Sequence, residues 1–201
     1  MLTHEENEAL TRVGPGTPMG SLMRQYWMPF LGADQVVKDG QPHRVRLLGE
    51  DLVAFRDSQG NVGLVDHACP HRGAPMLFGR NQGEGLACVY HGWKFDVSGQ
   101  CQDMPAEPVD SPMCKRMKIK AYPVRERNGL LWTYMGPNSD EPPAMPDVEF
   151  NMVPQSHSVL TFRVQECNWL QALEGEIDYA WAGVRKVRVT LAGARLDARA
   201  F

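Results

Sequence analysis

The sequence has no apolar run approaching the roughly 18 residues of a membrane span, no surplus of basic residues, and no histidine beyond His157. The first absence excludes a helical membrane anchor. With 21 Lys and Arg against 24 Asp and Glu, there is too little positive charge to neutralise a phosphate backbone, so nucleic acid is not expected as a partner. Residues 1–10 carry Glu5, Glu6 and Glu8 and have neither the basic nor the apolar region of an export signal, so a soluble, cytoplasmic protein is expected. Cysteine is scarce, at five residues, and Cys101, Cys114 and Cys167 have no framework spacing. Those three are expected to be buried or idle thiols rather than disulfides. What is present, 43% hydrophobic residues in a chain of 201, can build one full core and part of a second.

The remaining two cysteines are placed very differently. Cys69-Pro70-His71 and Cys88-Val89-Tyr90-His91 alternate thiol and imidazole, with sixteen residues between the two pieces. A Rieske 2Fe-2S cluster needs two thiolates on one iron and two imidazoles on the other, and two loops that each supply one of each kind meet that need. The alternative is a Cys2His2 zinc site, but zinc-finger spacing pairs Cys with Cys and His with His. Cys69, His71, Cys88 and His91 are therefore the candidate cluster ligands. Arg72 either offsets the cluster's charge or is solvated, and Trp93 is expected to pack beneath the site. His67, His43 and His157 are assigned no role.

Along the chain, Thr3-His4-Glu5-Glu6 fits a capping box opening a first helix, which Gly14-Pro15-Gly16 ends, and a second helical piece is expected over 19–26. Short β-branched or alternating runs follow at 43–48, 51–55, 62–65, 86–90, 93–97, 119–125 and 130–134, separated by turn residues. They predict a meander of antiparallel strands from which the two metal loops hang. Pro137, Pro142, Pro143 and Pro146 mark a boundary segment. Beyond it a strand is expected at 158–164 and an amphipathic helix at 168–178. From 184 the texture turns to Arg, Ala and Gly. The expected organisation is a helical arm (1–26), a cluster domain (27–136), a Pro-rich linker (137–155), the start of a further domain (156–183) and an aberrant tail (184–201).

The loops Cys69-Pro70-His71-Arg72-Gly73 and Cys88-Val89-Tyr90-His91-Gly92-Trp93 resemble those of Rieske non-heme iron oxygenase large subunits. The flanks Leu2-Thr3-His4-Glu5-Glu6-Asn7, Gly14-Pro15-Gly16-Thr17-Pro18-Met19-Gly20 and Gln25-Tyr26-Trp27-Met28-Pro29 are similar to the phthalate 4,5-dioxygenase-like group. The resemblance runs from residue 2 to about 178. It implies a mainly β fold, a Rieske domain of small antiparallel sheets with an N-terminal helical arm and a truncated start of an α+β catalytic domain. Respiratory Rieske proteins carry an extra cysteine in each loop and a serine donor; here Ala74, Tyr90 and Trp93 stand instead. Fewer donors to the cluster sulfurs imply a potential toward the low end of the range of about −150 to +300 mV.

The resemblance also implies that Asp178 is the carboxylate bridging one subunit's cluster to a neighbour's mononuclear non-heme Fe(II). That iron's first two histidines would fall at positions 181 and 186, where Trp181 and Lys186 offer no metal lone pair. The expectation is a truncated or frameshifted oxygenase large subunit that keeps electron transfer and lacks its second iron site. Its donor would be a reductase with flavin and a plant-type 2Fe-2S centre, and its assembly a homo-oligomer, a trimer in the family. A stand-alone electron carrier, or a component of an active oxygenase whose catalytic domain is supplied elsewhere, is the alternative. A non-redox assembly protein is a third reading. The substrate class would be aromatic.

Overall fold

The computed structural model describes residues 2–108 and 111–179. The tail at 184–201, with Trp181 and Lys186, lies outside the described residues, as does the side chain of Asp178. The chain opens with helices α1 (His4–Thr11) and α2 (Pro18–Met23). Strands β1 (Trp27–Gly32), β2 (His43–Leu47), β3 (Glu50–Arg56) and β4 (Val62–Asp66) follow. Next come β5 (Arg80–Gln82), β6 (Gly85–Ala87), β7 (Lys94–Phe95), β8 (Cys101–Asp103) and the single turn α3 (Met113–Arg116). Strands β9 (Ala121–Tyr122), β10 (Val124–Arg127) and β11 (Leu130–Tyr134) precede α4 (Glu149–Met152) and α5 (Trp169–Tyr179).

The strands form three small antiparallel sheets, ordered β1-β11-β10, β2-β3-β4-β9 and β5-β6-β7-β8, in place of one continuous meander. Strand β3 explains how they share a core. Successive side chains point to opposite faces, so Leu52 and Ala54 join Phe30, Leu47, Leu64 and Leu131 in one cluster. Val53 and Phe55 join Val65, Met76, Leu86 and Phe95 in another. All four β3 residues are fully buried, each larger side chain contributing about 1.5–3 kcal/mol. The second cluster also contains Cys69, Cys88 and Trp93, so the metal loops sit on the far side of β3 and β4 from the first.

The expected capping box is present. Thr3 Oγ1 accepts from Glu6 N–H at 3.2 Å, and Thr3 N–H donates to the Glu6 carboxylate at 2.7 Å. Four strand expectations need correction. The runs at 86–90 and 93–97 shorten to β6 and β7, because residues 88–93 close into a loop. The run at 119–125 divides at Pro123, which has no N–H to give a ladder, and β9 pairs with β4 while β10 pairs with β11. No strand forms at 158–164: the Phe162 ring lies against Gly32 at the end of β1, Val159 is 89% exposed, and the segment finds no ladder partner.

Two contacts fasten the arm and α5. Glu50, 12% exposed, accepts Arg24 Nη1 at 2.7 Å, Lys120 Nζ at 2.5 Å and the Tyr122 hydroxyl at 2.9 Å. Arg24 also donates through Nη2 to the carbonyl of Leu48, a buried residue in the left-handed region at φ 45°. Trp169 Nε1 donates to the Leu10 carbonyl at 3.0 Å, and Asn168 Oδ1 caps α5 by accepting Gln171 N–H at 3.0 Å. Trp169→Phe removes one hydrogen bond while keeping the ring, so α5 should loosen by about 1 kcal/mol. Hydrogen exchange at 170–179 should speed up roughly fivefold, with β3 amides unchanged.

Candidate metal centre

The two loops are closed by the same hydrogen bonds. Cys69 N–H donates to the Ala74 carbonyl at 2.9 Å and Gly73 N–H to the Cys69 carbonyl at 2.8 Å. In the second loop Cys88 N–H donates to Trp93 at 2.8 Å and Gly92 N–H to Cys88 at 3.0 Å. Each loop therefore turns on a glycine four residues after its cysteine, and Gly73 and Gly92 have φ of 71° and 76°. A side chain at either position meets the left-handed penalty of about 1–2 kcal/mol. At Gly73 nothing lies within 4 Å, whereas at Gly92 a Cβ would come to 2.9 Å from Pro105 Cγ. Gly73→Ala should therefore lower the unfolding free energy by about 1–2 kcal/mol, and Gly92→Ala by visibly more, in urea titrations of the same preparation.

This construction brings all four sequence-predicted ligands together. Cys69 and Cys88 are 3% and 2% exposed and line one pocket with both histidines. Burial pushes the Cys69 thiol up to about 11; the neighbouring Cys88 adds to this, while backbone N–H groups of His71 and Arg72 oppose it. A metal bound there would have to displace the thiol protons. The His71 and His91 rings lie 4.6 Å apart, centroid to centroid, at 63°. Burial lowers the His71 pKa, with His91 and Arg72 acting the same way, and this direction favours the neutral ring that a ligand requires. Its Nδ1 is buried without a hydrogen-bond partner, which a lone pair directed at a metal would explain.

These four residues line one pocket together with Arg72, Ala74, Tyr90 and Trp93. Trp93 is buried as expected, and its indole also stacks on His71 at 4.5 Å and 8°. Tyr90 was not anticipated as a contact; its 59% exposed ring tilts over His91 at 3.9 Å. Only its adjacency to His91 in the sequence signalled this. His67 turns away, its Nδ1 3.2 Å from Asp66 in an exposed pair. Among the described residues no three His, Cys, Asp or Glu converge on one metal ion. The donors come as an unlike pair of pairs, which suits two irons better than one zinc. Asp178 lies near the end of α5, outside this group, with its side chain outside the described residues.

Comparison with known proteins agrees. Residues 26–123 match the family described as Rieske [2Fe-2S] domain. Residues 26–123 are a Rieske [2Fe-2S] domain similar to that of ring-hydroxylating oxygenase subunits. The chain is 46% identical over 183 residues to the phthalate 4,5-dioxygenase oxygenase subunit of Pseudomonas putida, covering 90% of this chain and 41% of that one. It is 45% identical over 178 residues to the 3-chlorobenzoate-3,4-dioxygenase oxygenase subunit of Comamonas testosteroni, covering 89% and 41%. Dicamba monooxygenase with non-heme iron and dicamba superposes with a TM-score of 0.57 at 30% identity, over 67% of this chain and 40% of that one. The Rieske chain thus spans about two fifths of the length of these relatives. Other solved relatives are oxygenase–ferredoxin complexes of carbazole 1,9a-dioxygenase, at a TM-score of 0.55 and 26% identity. No helix among the described residues is long and apolar enough to cross a membrane.

Proposed function

We propose that this Rieske domain is a one-electron relay in which Cys69 and Cys88 hold one iron of a 2Fe-2S cluster and His71 and His91 hold the other. The observation that carries the assignment is the unlike pairing itself: two buried thiols lining one pocket with two imidazoles 4.6 Å apart, one with a buried, unpartnered Nδ1. When bound, the cluster supplies a reversible one-electron couple. The chain supplies the shell around it. Trp93 fixes the plane of His71, and Tyr90 shields one face of His91.

The relatives' activities support a role in an oxygenase acting on an aromatic or related substrate. We place the electron donor as a cytoplasmic reductase carrying flavin and a plant-type 2Fe-2S centre. Onward transfer would run from His91 to Asp178 of another protomer in a homotrimer, toward a mononuclear non-heme iron. Trp181 and Lys186 stand where ligands to that iron would be needed, so oxygen activation is assigned outside residues 1–201.

The test is metal and sulfide content with EPR of the dithionite-reduced protein, purified without oxygen. About two iron and two sulfide per chain with a Rieske-type signal support the proposal. Zinc without sulfide refutes the ligand assignment, and an additional tightly bound iron refutes the assignment of oxygen activation elsewhere.

A further inference from the structure

The second core cluster holds a second pair of thiols, C-terminal to the four ligands. Cys101 in β8 is 4% exposed, and Cys114 in α3 is partly exposed. Cys114 Sγ donates to Cys101 Sγ at 3.4 Å, and Cys101 Sγ donates in turn to the Asp103 carbonyl at 3.5 Å. The strands of chain that carry them are already bound together. Cys101 N–H donates to the Met117 carbonyl at 3.1 Å. The Gln100 side-chain amide reaches the carbonyls of Cys114, Lys115 and Met117 at 3.2, 3.3 and 3.2 Å. A disulfide bond is about 2.0 Å long, so closing one from the 3.4 Å contact needs the sulfurs to approach by about 1.4 Å.

We propose that Cys101 and Cys114 are a peroxide-oxidisable dithiol that closes to a disulfide inside the cluster lobe. The partly exposed Cys114 meets the oxidant first: its sulfur attacks a peroxide oxygen, the O–O bond breaks, and sulfenic acid and one water form. The Cys101 sulfur then displaces the hydroxyl. The S–O bond breaks, the S–S bond forms, and the Cys101 proton leaves with the hydroxyl as a second water. Two thiols lose two electrons and one hydrogen peroxide becomes two waters. Burial, reinforced by the neighbouring Cys114 thiol, pushes Cys101 up to about 12, so it meets the oxidant as an unreactive thiol and leaves the first step to Cys114. The bridge would tie α3 to β8, whose neighbour β7 leads directly out of the second ligand loop.

The experiment exploits the sequence. Lys94 and Lys115 bracket residues 95–115, which contain no other Lys or Arg, so one tryptic peptide carries both cysteines. Cluster-loaded protein is treated with graded hydrogen peroxide, alkylated under denaturing conditions and digested. The expected product is an unalkylated 95–115 peptide lighter by two hydrogens, restored to the dialkylated form by dithiothreitol. In Cys114→Ser the same peptide should keep Cys101 alkylatable at the dose that closes the bridge in the natural chain. A 95–115 peptide that stays dialkylated when the exposed Cys167 has been fully oxidised overturns the proposal, as does independent conversion of each sulfur to sulfinic acid. The natural chain alone decides the question if the variant does not fold.

Discussion

Replacing His91 by cysteine is expected to lower the cluster's midpoint potential by roughly 125 mV or more while iron is retained. Exchanging both imidazoles would span the gap between the bottom of the Rieske range, about −150 mV, and plant-type all-thiolate clusters at about −400 mV, and this variant exchanges one of the two. A thiolate adds negative charge to an iron that a neutral imidazole leaves alone, so the oxidised state gains. His91 is the better site for the exchange. Its loop is rimmed by the exposed Tyr90, whereas His71 lies flat on Trp93 with its Nδ1 buried. A thiol at 71 would leave a void under the indole and should cost cluster occupancy first. Protein-film voltammetry and EPR of both variants decide it. An unmoved potential in His91→Cys removes that residue from the coordination shell.

Glu50→Ala should destabilise the fold by about 3 kcal/mol or more, because it strands a largely buried Arg24. It also loosens the guanidinium that holds the Leu48 carbonyl in a left-handed turn. The pH dependence follows from the same contacts. Burial acts to raise the Glu50 pKa, but hydrogen bonds from Lys120 and Tyr122 and the charges of Lys120 and Arg24 outweigh it, so the folded value lies below the ordinary 4.5. The folded state then prefers the carboxylate. This contribution is complete above pH 4.5 and is lost as pH falls through the depressed folded value. Glu50→Gln, which cannot ionise, should flatten that acid limb while losing less stability than Ala at neutral pH. Urea midpoints across the acid range for the three proteins provide the comparison.

The ligand loops were legible because their chemistry is local: thiol and imidazole within four residues of each other, repeated once. Strand β11 was equally plain, since 130–134 is a compact apolar run with Asn128-Gly129 before it. The three-sheet arrangement was not legible, because partition into sheets depends on which edges pair, and Pro123 redirects the chain without interrupting its apolar pattern. The 158–164 run shows the converse: alternation marks an extended segment but supplies no partner for its ladder. Contacts between distant residues were invisible in principle. Nothing in the sequence joins Glu50 to Lys120, or Cys101 to Cys114, because only the fold brings those positions into reach.

Trp27, the first residue of β1, stands opposite Tyr134, the last of β11. The Rieske lobe therefore begins and finishes at one doorway, with backbones about 5 Å apart as in any antiparallel pair. Everything that holds the cluster is strung between those two neighbouring points. Such a unit can be cut out of one polypeptide and spliced into a surface loop of another with little stretching of either, and its host need only offer two adjacent attachment points. Portability of that kind gives a redox module freedom to change companions during evolution without rebuilding its interior.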